Sequence, residues 1–189
     1  MEQIRKNLEF FSLMSDEDWL YFFSKLKPTT FKKRTLVLKK GQVENYLSFV
    51  EKGTLRMFIT KEEENEVTFG FVFQDQFISA YDSFLTQTPC HYQIEALTDT
   101  ILWQISYADL NDVYSNTKIG NEIGRKNAEN LFLIKSSREF SLLNLSAKER
   151  YEQLFFDRPQ LIKEIPLKHI ASYIGVTPQA LSRIRTQIS

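Results

Sequence analysis

At 189 residues, 42 % of them hydrophobic, the chain has material for one ordinary domain and a smaller one. No run of eighteen apolar residues occurs, which argues against a membrane-spanning helix, and the acid-bearing start "MEQIRKNLEFFSLMSDEDW" lacks the apolar stretch of a secretory signal. Lys and Arg number 24, as do Asp and Glu; the single Cys90 can form no internal disulfide and cannot hold an iron–sulfur cluster, which fits a reducing cytoplasm.

In chain order, "SDEDWLYFFSKLKP" predicts a first helix, with Ser15 as its cap, three acids in its first turn and Pro28 after its end. From about Phe31 to Tyr107 the character is β. "TLRMFIT" alternates, with Leu55, Met57 and Ile59 on one face and Arg56, Phe58 and Thr60 on the other, and "VTFGFVF" and "TILWQIS" are further aromatic and β-branched runs. Lys40-Gly41 and Lys52-Gly53 mark turns, and "KEEEN" reads as an exposed hairpin loop. Short strands at this spacing predict a β-sandwich or roll.

The helical half begins near "ADLNDVY". From about Thr117 to Leu143 almost no helix breaker follows Gly124, and Ile119, Ile123, Leu131 and Ile134 fall on roughly one stripe. Such a helix, about 40 Å long, overhangs a small domain, so the stripe is expected to pair with a second copy; the alternative is that it packs on its own β domain. "SAKERYEQLFF" then opens with a capping box, Ser146 and Glu149, and ends before Pro159. The last two helices follow Pro166 and Gly175.

Those two helices, in "ASYIGVTPQALSRIR" and its flanks, have the outline of a helix-turn-helix. Leu167, Ile170, Ala171 and Ile174 make an apolar stripe on the first. Gly175 permits a left-handed exit, Thr177 caps the second helix and Pro178 suits its first position. Leu181, Ile184 and Ile188 are expected to be buried, leaving Gln179, Ser182, Arg183 and Thr186 in front. Arg183 suits guanine and Gln179 adenine, Ser182 is less selective, and Lys168 and Arg185 suit phosphates. The overall neutrality is no obstacle: residues 1–116 carry 12 basic against 17 acidic side chains, and residues 117–189 carry 12 against 7. Enzymatic chemistry is not expected. Cys90 and His91, adjacent in an expected strand, would point to opposite faces, no spaced His, Cys or Asp set suggests a metal, and the six glycines are scattered.

In this order, with "YLSFVEKGTLRMFI" in the roll and the helix-turn-helix at the end, the chain resembles the Crp/Fnr family of bacterial transcription regulators from about Ser15 to Ile188. The resemblance implies an α+β fold: an N-terminal antiparallel β-roll of the cyclic-nucleotide-binding type over 1–116, a long dimerisation helix over 117–143, and a small all-α helix-turn-helix domain over 144–189. It implies a cytoplasmic homodimer on inverted-repeat double-stranded DNA, with RNA polymerase as a further partner and no cofactor, and it places DNA contacts at Thr177, Pro178, Gln179 and Arg183.

Three departures stand out. Family members that bind cAMP resemble F-I-G-E-L followed by R-S-A, the Glu holding the ribose and the Arg the phosphate. Here Ser79 replaces the Gly, Ala80 the Glu and Cys90 the Arg, and a buried phosphate without a paired cation is costly. The effector pocket of Ser79, Ala80, Tyr81, Cys90, His91 and Tyr92 is therefore expected not to take cAMP; it binds another small molecule through Tyr81, His91 or Tyr92, or none. Pro178 lacks the donor that family members use there to read a base. The β-hairpin wing usual after the recognition helix is lacking, so either it is dispensable or the sequence stops short of it. Pro178 and the lacking wing keep open a second reading, a ligand-sensing or partner-binding dimer whose helix-turn-helix no longer reads DNA.

Overall fold

The computed structural model describes residues 2–61 and 65–188. The loop expected at "KEEEN" lies largely outside the described residues. Those described gather into two compact units, one from Met1–Met57 with Phe71–Asn130 and one from Phe58–Gly70 with Leu131–Ser189.

The described chain opens with a helix the sequence reading passed over, α1 (Glu2–Glu9), which buries Ile4 and Leu8. Helix α2 (Asp16–Ser24) starts as expected, the Asp18 amide donating to the Ser15 hydroxyl. Strands β1 (Lys27–Phe31), β2 (Leu36–Leu38), β3 (Tyr46–Lys52), β4 (Leu55–Thr60), β5 (Glu66–Val72) and β6 (Phe77–Ile78) follow, then helix α3 (Tyr81–Thr86), β7 (Gln93–Ala96), β8 (Thr100–Ser106) and α4 (Tyr107–Asn116). They form two four-stranded sheets, β1-β8-β3-β6 and β2-β7-β4-β5. Pro28 is tolerated because β1 is an edge strand. In the first sheet Leu47 faces Ile105 and Phe49 faces Trp103 in antiparallel register. Between β3 and β4, Gly53 has φ +109°, and a Cβ there would sit 2.9 Å from the Thr100 Cα, so no larger residue fits the turn. Phe49, Phe84, Ile105, Leu110 and Val113 join Phe22 of α2 in one apolar cluster.

Strand β4 forms as expected, but burial does not follow its alternation: Leu55, Arg56 and Phe58 are buried while Ile59 is exposed, and Arg56 is neutralised inside the roll by Glu95 at 2.8 Å. One expectation for the roll is corrected. Cys90 and His91 are not in a strand. They precede β7, held beside the Gly41 turn by Cys90 N–H to Gln42 O and Gly41 N–H to Cys90 O, each 2.8 Å.

Helix α5 (Gly120–Asn144) starts three residues later than expected, where the Thr117 hydroxyl accepts from the Gly120 amide. Its apolar residues do not make one stripe. Ile123 is buried in the first unit's cluster with Ile119 packed against it, whereas Phe132, Leu133, Phe140 and Leu143 are exposed together on a different face.

Four short helices complete the second unit, not three: α6 (Ala147–Asp157), α7 (Pro159–Glu164), α8 (Leu167–Tyr173) and α9 (Pro178–Ile188). The capping box of Ser146 and Glu149 is present in both directions. Pro159, read only as a stop, begins α7 at the first helical position, where its missing N–H costs nothing. No helix among the described residues is long and apolar enough to cross a membrane.

Candidate nucleic-acid interface and effector cassette

The turn between α8 and α9 is fixed by backbone hydrogen bonds at both ends. Gly175, at φ +80°, donates to Ser172 O at 3.1 Å, and Val176 donates to Ala171 O at 2.9 Å, which closes α8 with the paired bonds of a Schellman motif. The Thr177 hydroxyl then accepts from the Ala180 amide at 3.2 Å, capping α9. Behind this turn Ile170, Ala171, Ile174 and Leu181 are buried, joined by Tyr173. Leu167 and Ile188 are exposed, because α8 and α9 are too short to cover their own ends.

Gln179, Ser182, Arg183 and Thr186 all face solvent in front of Leu181. Thr186 donates back to Ser182 O at 3.1 Å, and the Gln179 and Arg183 side chains extend outward from the first turns of α9. Lys168 is exposed on α8. Arg185 is exposed as well, yet two residues on a helix turn it about 200° from Arg183, beside the buried stripe. The expected contacts thus divide, with Thr177, Gln179, Ser182 and Arg183 together and Arg185 apart.

Three arginines that the sequence reading did not single out build the support. The Arg138 guanidinium lies 3.7 Å over the Tyr173 ring and donates to Tyr173 O at 2.6 Å, and its pKa is held below the usual value by burial. Arg158 donates to the Tyr173 hydroxyl, and Arg150 donates to the carbonyls of Ile174 and Leu145. Three of the nine Lys and Arg side chains between residues 131 and 189 are therefore committed to structure. A fourth support is Ser172, whose hydroxyl accepts from Thr68 N–H at 2.8 Å and donates to Glu66 O at 2.9 Å, so that β5 is bonded to α8. Arginine beside aromatic residues is a sequence signal for such supports; the Ser172 bridge, spanning 104 residues, leaves none.

In the first unit the cassette residues lie around α3. Ser79 donates to Tyr46 O at 3.0 Å, and Ala80, fully buried, precedes the helix without a capping side chain. Tyr81 stacks on Phe84. Tyr92 is buried and donates to Asp82 at 2.7 Å; burial and that carboxylate push its pKa far up. The buried Cys90 thiol donates to Tyr92 O, and burial raises its pKa, which makes it a poor nucleophile; His91 points to solvent. The unforeseen residue is Glu44. Its buried carboxylate accepts from Tyr46 N–H at 3.0 Å and from Ala80 N–H at 3.4 Å, at the head of the cassette helix. Desolvation lifts its pKa above the ordinary 4.5 against the pull of these amides. The segment from Phe77 to Ala96 contains no Lys or Arg.

Residues 28–117 match the family model of the cyclic nucleotide-binding domain. Solved structures similar to the whole chain include CLP of Xanthomonas campestris, a c-di-GMP responsive global regulator, at 16 % identity and TM-score 0.69 over 92 % of this chain and 91 % of that one. FixK2 of Bradyrhizobium japonicum matches at 16 % identity and TM-score 0.70 over 86 % and 84 %. A protein assigned to the Crp/Fnr family of transcriptional regulators from Eubacterium rectale matches at 17 % and 0.69 over 93 % and 83 %.

The chain has the Crp/Fnr fold. No curated protein sequence matches it. The match to the cyclic nucleotide-binding domain covers the β-roll and ends at the N-terminal side of α5.

Proposed function

We propose that the chain is a sequence-specific, DNA-binding transcription regulator of the Crp/Fnr type, cytoplasmic, without enzymatic activity, acting as a homodimer. Its three parts are the sensor roll over 1–116, the dimerisation helix over 117–143 and the DNA-binding domain over 144–189. The observation that carries the reading is α9: a helix capped at Thr177, anchored by Leu181, that holds Gln179, Ser182 and Arg183 outward near its N-terminus. The seam of the dimer is the exposed stripe of Phe132, Leu133, Phe140 and Leu143, which lies within about 100° of the helix circumference and away from the Arg138 side that holds Tyr173.

The cassette does not take cAMP. A cyclic phosphate would arrive where the Glu44 carboxylate already accepts the Ala80 amide, with no cation in the segment to pair it. Selection of random duplexes on the purified protein is the direct test. An inverted repeat with half-sites about 34 Å apart is the expected product. If no duplex is enriched, the chain is instead a partner-binding dimer, a reading that Pro178, with no donor at the head of α9, keeps alive.

A further inference from the structure

The first unit contains a cavity among its helices. About 40 Å³ of space lies inside a cleft of about 460 Å³ counted out to its open mouth. Leu8 lines it from α1, Met14 from the link between α1 and α2, Phe22 from α2, Val113 from α4 and Ile123 from α5, and none of the residues from Ser79 to Tyr92 is among its lining. No Lys, Arg, Asp or Glu lines it either, so an ion would enter without a partner at high cost.

Its wall is shaped by two glycines one turn apart on α5. A Cβ at Gly124 would lie 2.8 Å from the Tyr114 hydroxyl, and one at Gly120 would lie 3.0 Å from Val113 O. Gly124 lies inside the helix, where glycine is less stable than alanine, so α5 gives up stability there for this close approach. Two polar groups face the otherwise apolar space. Neither the Tyr114 hydroxyl nor the Asn127 side chain makes a hydrogen bond among the described residues, and both residues line the cavity. Burial pushes the Tyr114 pKa up to about 12, so at neutral pH the phenol keeps its proton and can donate it. An apolar pocket with a few convergent polar groups is the usual form of a small-molecule site.

We propose that this cleft binds a small neutral molecule with an apolar body and one hydrogen-bond acceptor, a ketone or an ester: the body lies in the open cleft, because the enclosed 40 Å³ holds little more than water, and the oxygen takes the Tyr114 O–H and the Asn127 amide. The inference goes beyond the DNA-binding reading and does not depend on it. The test uses the full chain with labelled methionine and isoleucine methyl groups, titrated with 2-hexanone, hexane and hexanoate and followed by NMR. The Met14 and Ile123 methyls should shift saturably with 2-hexanone, more weakly with hexane, and not with hexanoate at pH 7. Tyr114→Phe keeps the volume and removes the donor, so ketone binding should fall about tenfold while hexane binding is unchanged. Absence of a saturable shift at Met14 and Ile123, or hexanoate binding as well as the ketone, overturns the proposal. So does unaltered ketone affinity in Tyr114→Phe; if that variant does not fold, the ranking of the three ligands on the wild type decides alone.

Discussion

Arg183 and Lys168 are both exposed cations of the second unit, and on the proposed DNA-binding reading they would meet a duplex through different physics. Arg183, on the front of α9, offers two parallel donors to a guanine edge, and Arg183→Ala should cost about 1–3 kcal/mol on the selected site and relax one base pair in each half-site. Lys168 suits a phosphate, so Lys168→Ala should weaken all duplexes alike and reduce the salt slope by about 1. Competition binding at two salt concentrations reads both effects, and an Arg183→Ala protein that keeps its preference removes α9 as the reader. Glu44 answers to pH. Its folded-state pKa is raised, so the native state holds the proton more tightly than the unfolded chain does. The stability it contributes is complete below the ordinary 4.5 and is lost as pH climbs through the raised value. Urea melts should show wild type losing ground to Glu44→Gln between pH 4 and pH 7; parallel profiles would mean that the carboxylate is not desolvated. The difference between these residues in legibility is physical. The Thr177 cap is local chemistry that its neighbours announce, whereas Glu44 lies in a polar turn, "GQVEN", that reads as solvated, and only the fold buries it.

At the scale of elements, α5 shows how a periodic pattern misleads. The residues Ile119, Ile123, Leu131 and Ile134 belong to one apolar pattern and Phe132, Leu133, Phe140 and Leu143 to another, and a helix with apolar groups on several sides has no single preferred face. Length and existence of the helix were readable; the choice between its faces depends on what the roll places beside its first turns. Phe132→Asp with Phe140→Asp should therefore give monomers by light scattering while the roll stays folded. Ile123→Asp should unfold the first unit instead, because Ile123 is part of that unit's core. A Phe132→Asp, Phe140→Asp protein that remains dimeric would move the seam elsewhere. The three helices that escaped reading, α1, α3 and α7, are eight, six and six residues long, with two buried apolar side chains in the first and one in each of the others. A pattern that short barely differs from chance, and only packing sustains the element.

For the molecule as a whole, the roll and the terminal helix-turn-helix were legible because each is written in contiguous sequence. The makeup of the second unit was not, since Phe58–Gly70 joins it from the middle of the chain. Ser172 is the link that can be cut with least disturbance. Ser172→Ala should leave the Thr68 amide without its acceptor at a cost of about 1–3 kcal/mol, seen as faster hydrogen exchange at Thr68. Unchanged protection there would show that the bridge contributes nothing.

That bridge also has a consequence in time. Thr68 precedes Ser172 by 104 residues, and at bacterial synthesis rates its acceptor emerges roughly 5–20 s after it does. Until then β5, at the end of its sheet, presents Thr68 N–H and Glu66 O to whatever strand comes near. The nascent protein thus spends seconds as a half-finished sheet with a sticky rim. Aggregation during synthesis should exceed aggregation of the finished chain, and slowing translation between residues 70 and 172 should lower the soluble yield without altering the protein that survives.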